Sequence, residues 1–366
     1  MKKYIIIFKN NNGKEILDKL NATDIEIHMN VIAIANLDID SVKELENSKN
    51  VESIEPDTTE HLDAELEPDN RYESSTTTYA FDLMNIKDFH NEGITGKGMK
   101  VAVLDTGIQI HENLKVVDGI NTYDNTKPWD RALTSSHGTQ VAGIINAQGL
   151  NNNVLGIAPD AEMYGVRIDD GSGSLNRTYW SSQIAGISWA LDKGVDAINC
   201  SFSSRIDSKA RKKAFEIASD MGVAIFCSAG NTQPSGDTTT NNAVYPAKYP
   251  FTISSANVDS NKERNTSSCI GQGINFSNGG TRAYSTYTDK NNSEISNKHA
   301  YGTGTSYASP ATLGIYLLYK QKYKESKEKI LQRMLVNAEP LGKSFWYGAG
   351  LPKYPTIDYI NVRIRG

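Results

Sequence analysis

The sequence predicts an α/β protein, with a doubly wound and mostly parallel sheet flanked by helices and, before it, a small ferredoxin-like α+β domain. Two observations lead to this prediction. From about residue 77 onward, apolar strands alternate with amphipathic helices, which is typical of a parallel sheet covered on both faces. Residues 1–56 instead follow the order β-α-β-β-α-β, which is the order of a ferredoxin-like unit.

The elements of the N-terminal domain follow from its apolar pattern. Strands are predicted where apolar residues run together, and helices where they recur every three or four positions. The predicted strands lie at residues 3–8, within 25–35 (two short strands) and at 51–54, and the predicted helices lie at 14–20 and 41–46.

The next segment differs in composition. Between residues 51 and 70 there are eight acidic residues and no lysine or arginine, and a run of serine and threonine follows at 74–78. A charged stretch of low hydrophobicity cannot bury enough surface to fold. We therefore expect residues 57–76 to form an exposed linker between a domain at 1–56 and a larger domain at 77–366.

The larger domain contains the alternation on which the fold prediction depends. The predicted strands lie at 100–104, 195–200 and 223–227, and the predicted helices start at 141 or span 180–191 and 210–221. In parallel sheets of this kind, functional residues collect at the carboxyl ends of the strands. Asp105 and the segment 228–231 each follow one of these strands directly.

Composition excludes several classes of partner. The chain has 366 residues, of which 38% are hydrophobic and 22% charged, and its net charge is −5. Because it has no long basic run, we expect neither nucleic acid nor a membrane surface as a partner. The three cysteines lack the spacing of a metal site, and Cys200 and Cys227 end apolar strands, so we expect buried free thiols.

The N-terminal apolar run is too short for the core of a signal peptide. If Met1 is the native start, we expect a cytoplasmic protein, and otherwise a secreted one. The abundance of asparagine and lysine points weakly to an AT-rich bacterial source.

Three residues have the chemistry of a nucleophile, a base and an orienting acid. Small residues at 302–305 lead into Ser306, and an apolar helix follows, so its hydroxyl would sit beside the N–H groups of a helix N-terminus. His137 precedes another predicted helix, and Asp105 ends a strand. Alone, Ser306 could be a helix cap and His137 a surface residue. Together they occur in the chain order Asp, His, Ser, which predicts a catalytic triad.

The motifs around these residues resemble those of the subtilisin-like serine proteases. The resemblance rests on four segments in family order: VAVLDTGI at 101–108, HGTQVAG at 137–143, SAGN at 228–231 and GTSYASP at 304–310. It covers essentially the whole chain, because residues 1–55 also resemble the inhibitory prodomain of that family. The resemblance implies a subtilisin-like fold and a serine endopeptidase that works through an acyl-enzyme without a cofactor.

The resemblance also implies a role for each site residue. Asp105 would hold the ring of His137, which would act as general base and then acid, while Ser306 would attack the scissile carbonyl. The side-chain amide of Asn231 and the backbone N–H of Ser306 would form the oxyanion hole.

Substrate binding is implied in the same way. Ser201, Phe202 and Ser203 on one side, and Gly171, Ser172 and Gly173 on the other, would be edge segments that pair with an extended substrate. Three residues are larger than the family usually has around the first specificity pocket: Ser203, Gln233 and Val244. They predict a shallower pocket and narrower specificity, unless shifts of the loops absorb the extra atoms.

Calcium binding is left open by the sequence. Where family members place calcium ligands, this chain has Asn113 and the polar loop 148–153, which contains no carboxylate. Hard cations favour charged oxygens, so we expect weak binding at most.

The physiological role also stays open at this stage. The leading hypothesis is a self-processed zymogen, cut within residues 57–76 and inhibited by its own prodomain, that matures peptides by removing their leaders. General protein turnover is an alternative, and a catalytically silent scaffold of the same fold is a second. Peptides or proteins are the expected substrates in the first two cases.

Overall fold

The computed structural model describes residues 1–61, 76–172, 177–234 and 236–357, without the side chain of His61. Within them, a four-stranded sheet at the N-terminus precedes a seven-stranded sheet and two smaller strand pairs. The predicted α/β architecture is confirmed. In the described part of the chain, no helix combines the length and the apolar character needed to span a bilayer.

The N-terminal domain has the predicted ferredoxin-like topology. Its elements occur in the order β1 (Lys2–Phe8), α1 (Gly13–Lys19), β2 (Thr23–His28), β3 (Ile32–Leu37), α2 (Ile39–Glu46) and β4 (Val51–Pro56). The sheet order is β2-β3-β1-β4, with β1 antiparallel to both of its neighbours. One face of this sheet packs on its two helices through a core that includes Ile6, Phe8 and Leu17.

The strands of the rest of the chain are β5 (Thr59–His61), β6 (Lys100–Asp105), β7 (Val116–Asn121), β8 (Glu162–Arg167), β9 (Arg177–Tyr179), β10 (Ala197–Cys200), β11 (Ala224–Ser228), β12 (Ile253–Val258), β13 (Ile274–Gly279), β14 (Ala283–Tyr287) and β15 (Lys298–Gly302). The large sheet has the order β13-β12-β11-β10-β6-β8-β7, and each neighbouring pair is parallel. The pairs β14-β15 and β5-β9 are antiparallel.

The helices of this part are α3 (Tyr79–Leu83), α4 (Ile86–Asn91), α5 (His137–Asn146), α6 (Trp180–Asp192), α7 (Lys209–Asp220), α8 (Thr305–Tyr323), α9 (Lys327–Val336) and α10 (Ser344–Tyr347). Every residue of α8 from Thr305 to Tyr319 is buried. A helix that is covered all round belongs in the core of a protein. Helix α8 packs against α5 and against the central strands β10 to β13.

The second face of the N-terminal sheet packs on α6 and α7. Ile5 and Ile7 of β1 share an apolar cluster with Ile184 of α6 and Phe215 of α7. Side chains alternate between the faces of a strand, so Ile6 points the other way, into the domain's own core. Burial on both faces explains why β1 is apolar without interruption.

The expectation of an exposed linker beginning at residue 57 is wrong for residues 57–61. Thr59–His61 forms β5, which pairs with β9, and the side chain of Glu60 is only 8% exposed. The acidic residues of this segment are accommodated by donors on the large domain, which a composition argument cannot anticipate. Residues 62–75, the rest of the expected linker, lie outside the described part of the chain.

Candidate active site

Three neighbouring strands end at the same level. In the parallel register, Cys200 of β10 lies beside Leu104 of β6 and Cys227 of β11. The next residues along the chain, which include Asp105 and Ser201, therefore emerge at one edge of the sheet. This is the edge at which functional residues were expected. Cys200 and Cys227 are buried free thiols, as predicted.

Asp105 and His137 form a buried pair at this edge. His137 Nδ1 lies 2.7 Å from Asp105 Oδ1, and the two residues are 3% and 1% exposed. A carboxylate oxygen accepts the Nδ1 proton, which leaves Nε2 as the basic nitrogen of a neutral ring. Gly138 permits this approach, because a Cβ at that position would lie 2.2 Å from the carbonyl oxygen of Gly107.

Ser306 lies in the first turn of α8, beside the histidine. The ring of the next residue, Tyr307, meets the ring of His137 edge to face with centroids 5.8 Å apart. Ser306 is 2% exposed, and its Oγ lies 3.4 Å from the carbonyl oxygen of Ser201. The first N–H groups of a helix have no acceptor within the helix, so the N–H of Ser306 is suited to binding an anion.

Asn231 follows β11 and is oriented by the start of α8. Its Oδ1 accepts hydrogen bonds from Thr305 N at 2.8 Å and from Thr305 Oγ1 at 3.0 Å. Because the oxygen is held there, the NH₂ group of the amide is the end left to face the site. Gly304 leaves room for it, since a Cβ at that position would lie 3.2 Å from Asn231 Nδ2. These contacts are compatible with the predicted oxyanion hole, in which the amide of Asn231 and the N–H of Ser306 donate to one oxygen. That role stays a prediction.

A buried polar network, which the sequence analysis missed, holds the start of α8 to β10. Asn199 Nδ2 donates to Ser201 Oγ at 2.8 Å, and Ser201 Oγ donates to the carbonyl oxygen of Ser306 at 2.8 Å. Ser309 Oγ donates to Asn199 Oδ1 at 2.9 Å. The hydroxyl residues around Ser306 were the available signal, but their partner Asn199 lies more than a hundred residues away in the sequence.

The two predicted edge segments lie in different surroundings. On one side, Ser203 is half-buried and Phe202 fully buried, and the following residue, Ser204, exchanges two 2.8 Å backbone hydrogen bonds with Tyr245. On the other side, β9 is the strand with which β5 pairs. The role of Ser201, Phe202 and Ser203 in binding substrate stays a prediction.

Gly171 and Ser172 lie outside the strand with which β5 pairs, and their role in binding substrate stays a prediction. Their N–H groups donate to the carboxylates of Asp169 and Asp170, at 3.0 and 2.9 Å, and so form turns instead of a ladder. Short-range capping by an aspartate two residues back competes with strand pairing. Gly173 lies outside the described residues.

Gln233 and Val244 are both buried but differ in what they contact. Gln233 Nε2 donates to the carbonyl oxygen of Asp237 at 3.0 Å, and its Oε1 accepts from Ile270 N at 3.3 Å, so the side chain braces its own loop. Val244 packs on the turn before Asn231, where a Cβ on Gly230 would lie 2.8 Å from Val244 Cγ2. Of the two, Val244 adds apolar bulk next to the site.

Comparison with known proteins agrees with this geometry. Residues 96–350 match the subtilase family. The chain belongs to the subtilase family. Subtilisin DY of Bacillus licheniformis is 35% identical over 76% of this chain and 97% of its own length. Subtilisin NAT of Bacillus subtilis subsp. natto is 34% identical over 87% of this chain and 78% of its own. Epr, a minor extracellular protease of Bacillus subtilis strain 168, is 29% identical over 96% of this chain and 54% of its own.

Family membership establishes the activity of this subtilase. It is a serine endopeptidase that hydrolyses peptide bonds in peptide or protein substrates. Subtilisins need no cofactor, although many bind calcium. Among the described residues, no group of three or more histidine, cysteine, aspartate or glutamate side chains could hold a metal ion.

The loop at which this subtilase was expected to bind calcium weakly is closed by an amide instead. Asn113 Nδ2 donates to the carbonyl oxygen of Val154 at 2.8 Å, and Asn113 Oδ1 accepts from Leu150 N at 2.9 Å. Calcium requires six to eight oxygen ligands. Here an N–H donor engages the carbonyl oxygen that a cation would need, so these residues do not fit calcium.

Replacing the candidate nucleophile or the candidate oxyanion donor should lower turnover to different degrees. Ser306→Ala should lower kcat by about 10⁶-fold and Asn231→Ala by about 10²–10³-fold, magnitudes that were established for the corresponding residues of subtilisin itself. Initial rates on a peptide substrate measure both, with circular dichroism to check that the variants fold. An Asn231→Ala variant with unchanged kcat would exclude the amide from the oxyanion hole.

Removing calcium should leave the stability of this protein unchanged, because Asn113 already closes the loop. The thermal unfolding midpoint of the wild type should agree within about 1 °C in chelator and in millimolar calcium. Asn113→Asp places a carboxylate against the Val154 carbonyl and should cost about 1–3 kcal/mol, part of which calcium restores. Asn152→Asp, exposed in the same loop, is the matched control. A wild-type midpoint that falls in chelator would contradict the argument.

Proposed function

We propose that this endopeptidase is made as a zymogen that cuts itself, and that the mature enzyme removes leader peptides with narrow specificity. One observation carries the first part: Thr59–His61 lies on the catalytic domain as an added antiparallel strand on β9. A peptide bound in this way offers its main chain for pairing, as protease substrates do when they extend a sheet edge.

In the proposed mechanism, Asp105 keeps His137 in the tautomer whose Nε2 is free to accept a proton. Nε2 takes the proton of Ser306 as its Oγ attacks the scissile carbonyl, and then delivers it to the leaving amine. The negative charge that forms on the carbonyl oxygen is bound by the N–H of Ser306 and the amide of Asn231. Water hydrolyses the acyl-enzyme by the same route in reverse.

The contacts of the N-terminal domain support an inhibitory role. Glu55 accepts hydrogen bonds at the start of α7 from Ala210 N at 3.0 Å and from Ser208 Oγ. Asp57 accepts hydrogen bonds at the start of α6 from Ser181 N at 3.0 Å and Ser181 Oγ at 2.6 Å. Carboxylates are stabilised at helix N-termini by unpaired N–H groups and by the helix dipole.

We place the proposed cut between residues 61 and 76. The segment up to His61 is anchored on the catalytic domain by its pairing with β9, so a bond upstream of it would be cleaved only after this strand detaches. The cut would free a chain that begins near the start of the catalytic domain, and the docked domain would then inhibit until it dissociates.

Narrow specificity is the second part of the proposal, and Val244 supports it. It is 4% exposed and packs on Gly230, one residue before the proposed oxyanion amide. Extra volume in a specificity pocket excludes large side chains, with a discrimination of about 10–200-fold per methylene group. A protease with so limited a pocket suits the maturation of a few peptides better than general turnover.

Self-processing can be tested with the wild type and Ser306→Ala purified side by side. The wild type should acquire a new N-terminus between residues 61 and 76, whereas the variant should stay intact because no other group replaces the nucleophile. N-terminal sequencing and intact mass measure this directly. The same new N-terminus in both proteins would show that another protease makes the cut.

The pocket can be tested with a peptide library read by mass spectrometry. The wild type should cut after one or two residue types with small side chains, and Val244→Gly should extend cleavage to large side chains. Val117→Gly, which removes an exposed valine from β7, is the control and should keep the wild-type pattern. Broad cleavage by the wild type would favour general turnover over the maturation role.

A further inference from the structure

The docked segment leaves one acidic side chain deep in the catalytic domain. In the register of β5 on β9, Glu60 lies opposite Thr178. The carbonyl oxygen of Thr58, two residues earlier, accepts a hydrogen bond from Trp180 N at 3.1 Å. Glu55 and Asp57 contact the ends of helices, whereas Glu60 enters the space between α6 and α7. Because the main chain of Glu60 is held in a strand, its side chain enters this space at a defined position.

Three donors converge on the carboxylate of Glu60. Arg211 Nη1 lies 2.6 Å from both oxygens, Gln183 Nε2 lies 2.6 Å from Oε1, and Trp180 Nε1 lies 3.2 Å from Oε2. Arg211 and Gln183 are fully buried, and Trp180 is 5% exposed. We call these three residues the carboxylate pocket. All of its members belong to the catalytic domain, so the pocket stays when the N-terminal domain leaves.

The buried positive charge of Arg211 favours a negatively charged partner in this pocket. Burial is the largest single influence on the pKa of Arg211 and acts to lower it. The charge of Glu60, the neighbouring Tyr249 and the hydrogen bonds to both together raise that pKa above its ordinary value. In the described chain, Glu60 is the ion-pair partner of Arg211, and the other contacts of the guanidinium are neutral, including the carbonyl oxygen of Ile206 at 2.7 Å. A buried charge that loses its partner is strongly destabilised. After self-cleavage, the pocket would therefore bind best a substrate that brings a carboxylate.

We propose that the carboxylate pocket selects a glutamate in the substrate, at the strand position that Glu60 occupies, with Arg211 as the specificity-determining residue. The selected residue lies on the N-terminal side of the scissile bond, because β5 precedes the proposed cut. Aspartate is one methylene group shorter and cannot reach Nη1 from the same backbone position. This inference rests on the proposed function, in which residues 57–61 occupy the path of the substrate.

The inference identifies a substrate class that the proposed function leaves open. The peptides expected to be matured carry a glutamate a short, fixed distance before the cut, within an extended segment. Among the described acidic residues of 51–61, Glu55 and Asp57 contact helix N-termini, and Glu60 is the one that enters the carboxylate pocket.

The test compares cleavage of peptide sets that carry Glu, Gln, Asp or Leu at each position upstream of the cut. The full-length wild-type protein, after self-processing, should show a kcat/KM about 10–100-fold higher for Glu than for Gln at one position. Arg211→Leu should lose this ratio and cleave the Leu peptide in preference to the Glu peptide. Lys212→Leu, an exposed lysine on the same helix, should keep the wild-type preference.

A second measurement distinguishes the loss of a specific contact from misfolding of the variant. Glu60→Leu alone should slow self-processing, because it leaves Arg211 unpaired. The double variant Glu60→Leu with Arg211→Leu should restore self-processing, since an apolar pair can replace a buried ion pair.

The outcomes separate this inference from the proposed function. Cleavage of peptides without a preference for glutamate at any upstream position would overturn the carboxylate pocket and leave self-processing intact. Glutamate preference in a protein that does not cut its own chain would support the pocket and overturn the zymogen. A wild-type protein that cuts neither itself nor any peptide would overturn both.

Discussion

The site depends on the burial of helix α8 with its N-terminus at the carboxyl edge of the sheet. Residues 305–319 are covered on all sides, so the position of the helix is set by packing against the strands and not by its own polarity. The polar network through Asn199 then holds its first turn in place. In this turn Thr305 donates to Asn231, and the ring of Tyr307, next to Ser306, meets the ring of His137. The candidate site residues, which come from distant parts of the chain, are brought to one edge of the sheet by this arrangement.

A second constraint comes from charge at the contact between the two domains. Burying Ile5 and Ile7 against α6 and α7 favours docking, but the hydrophobic effect is non-directional and does not select one orientation. The carboxylates of Glu55, Asp57 and Glu60 add directional contacts, since each meets specific donors on those helices. These contacts fix the position of the N-terminal domain on α6 and α7. That position directs the chain that follows β4 along β9.

Local substitutions alter details of the site without altering this framework. Asn113 holds its loop with hydrogen bonds, in place of a bound cation. Val244 adds side-chain volume beside Gly230. Neither change touches the register of β6, β10 and β11. Specificity and metal dependence can therefore vary among chains of this fold while the geometry at the strand ends is retained.

The sequence by itself determined the fold class, the topology of the N-terminal domain and the identity of Asp105, His137, Asn231 and Ser306 as site candidates. These follow from local periodicity and from short motifs, in which the informative residues are close neighbours along the chain. Only the tertiary structure shows the docking of residues 57–61, the pairing of β5 with β9 and the donors that surround Glu60. An acidic stretch looks like solvated linker until its partners are known, and the partner of Glu60 lies 151 residues further along. Contacts at that separation depend on how two domains pack, and a local pattern contains no information about them.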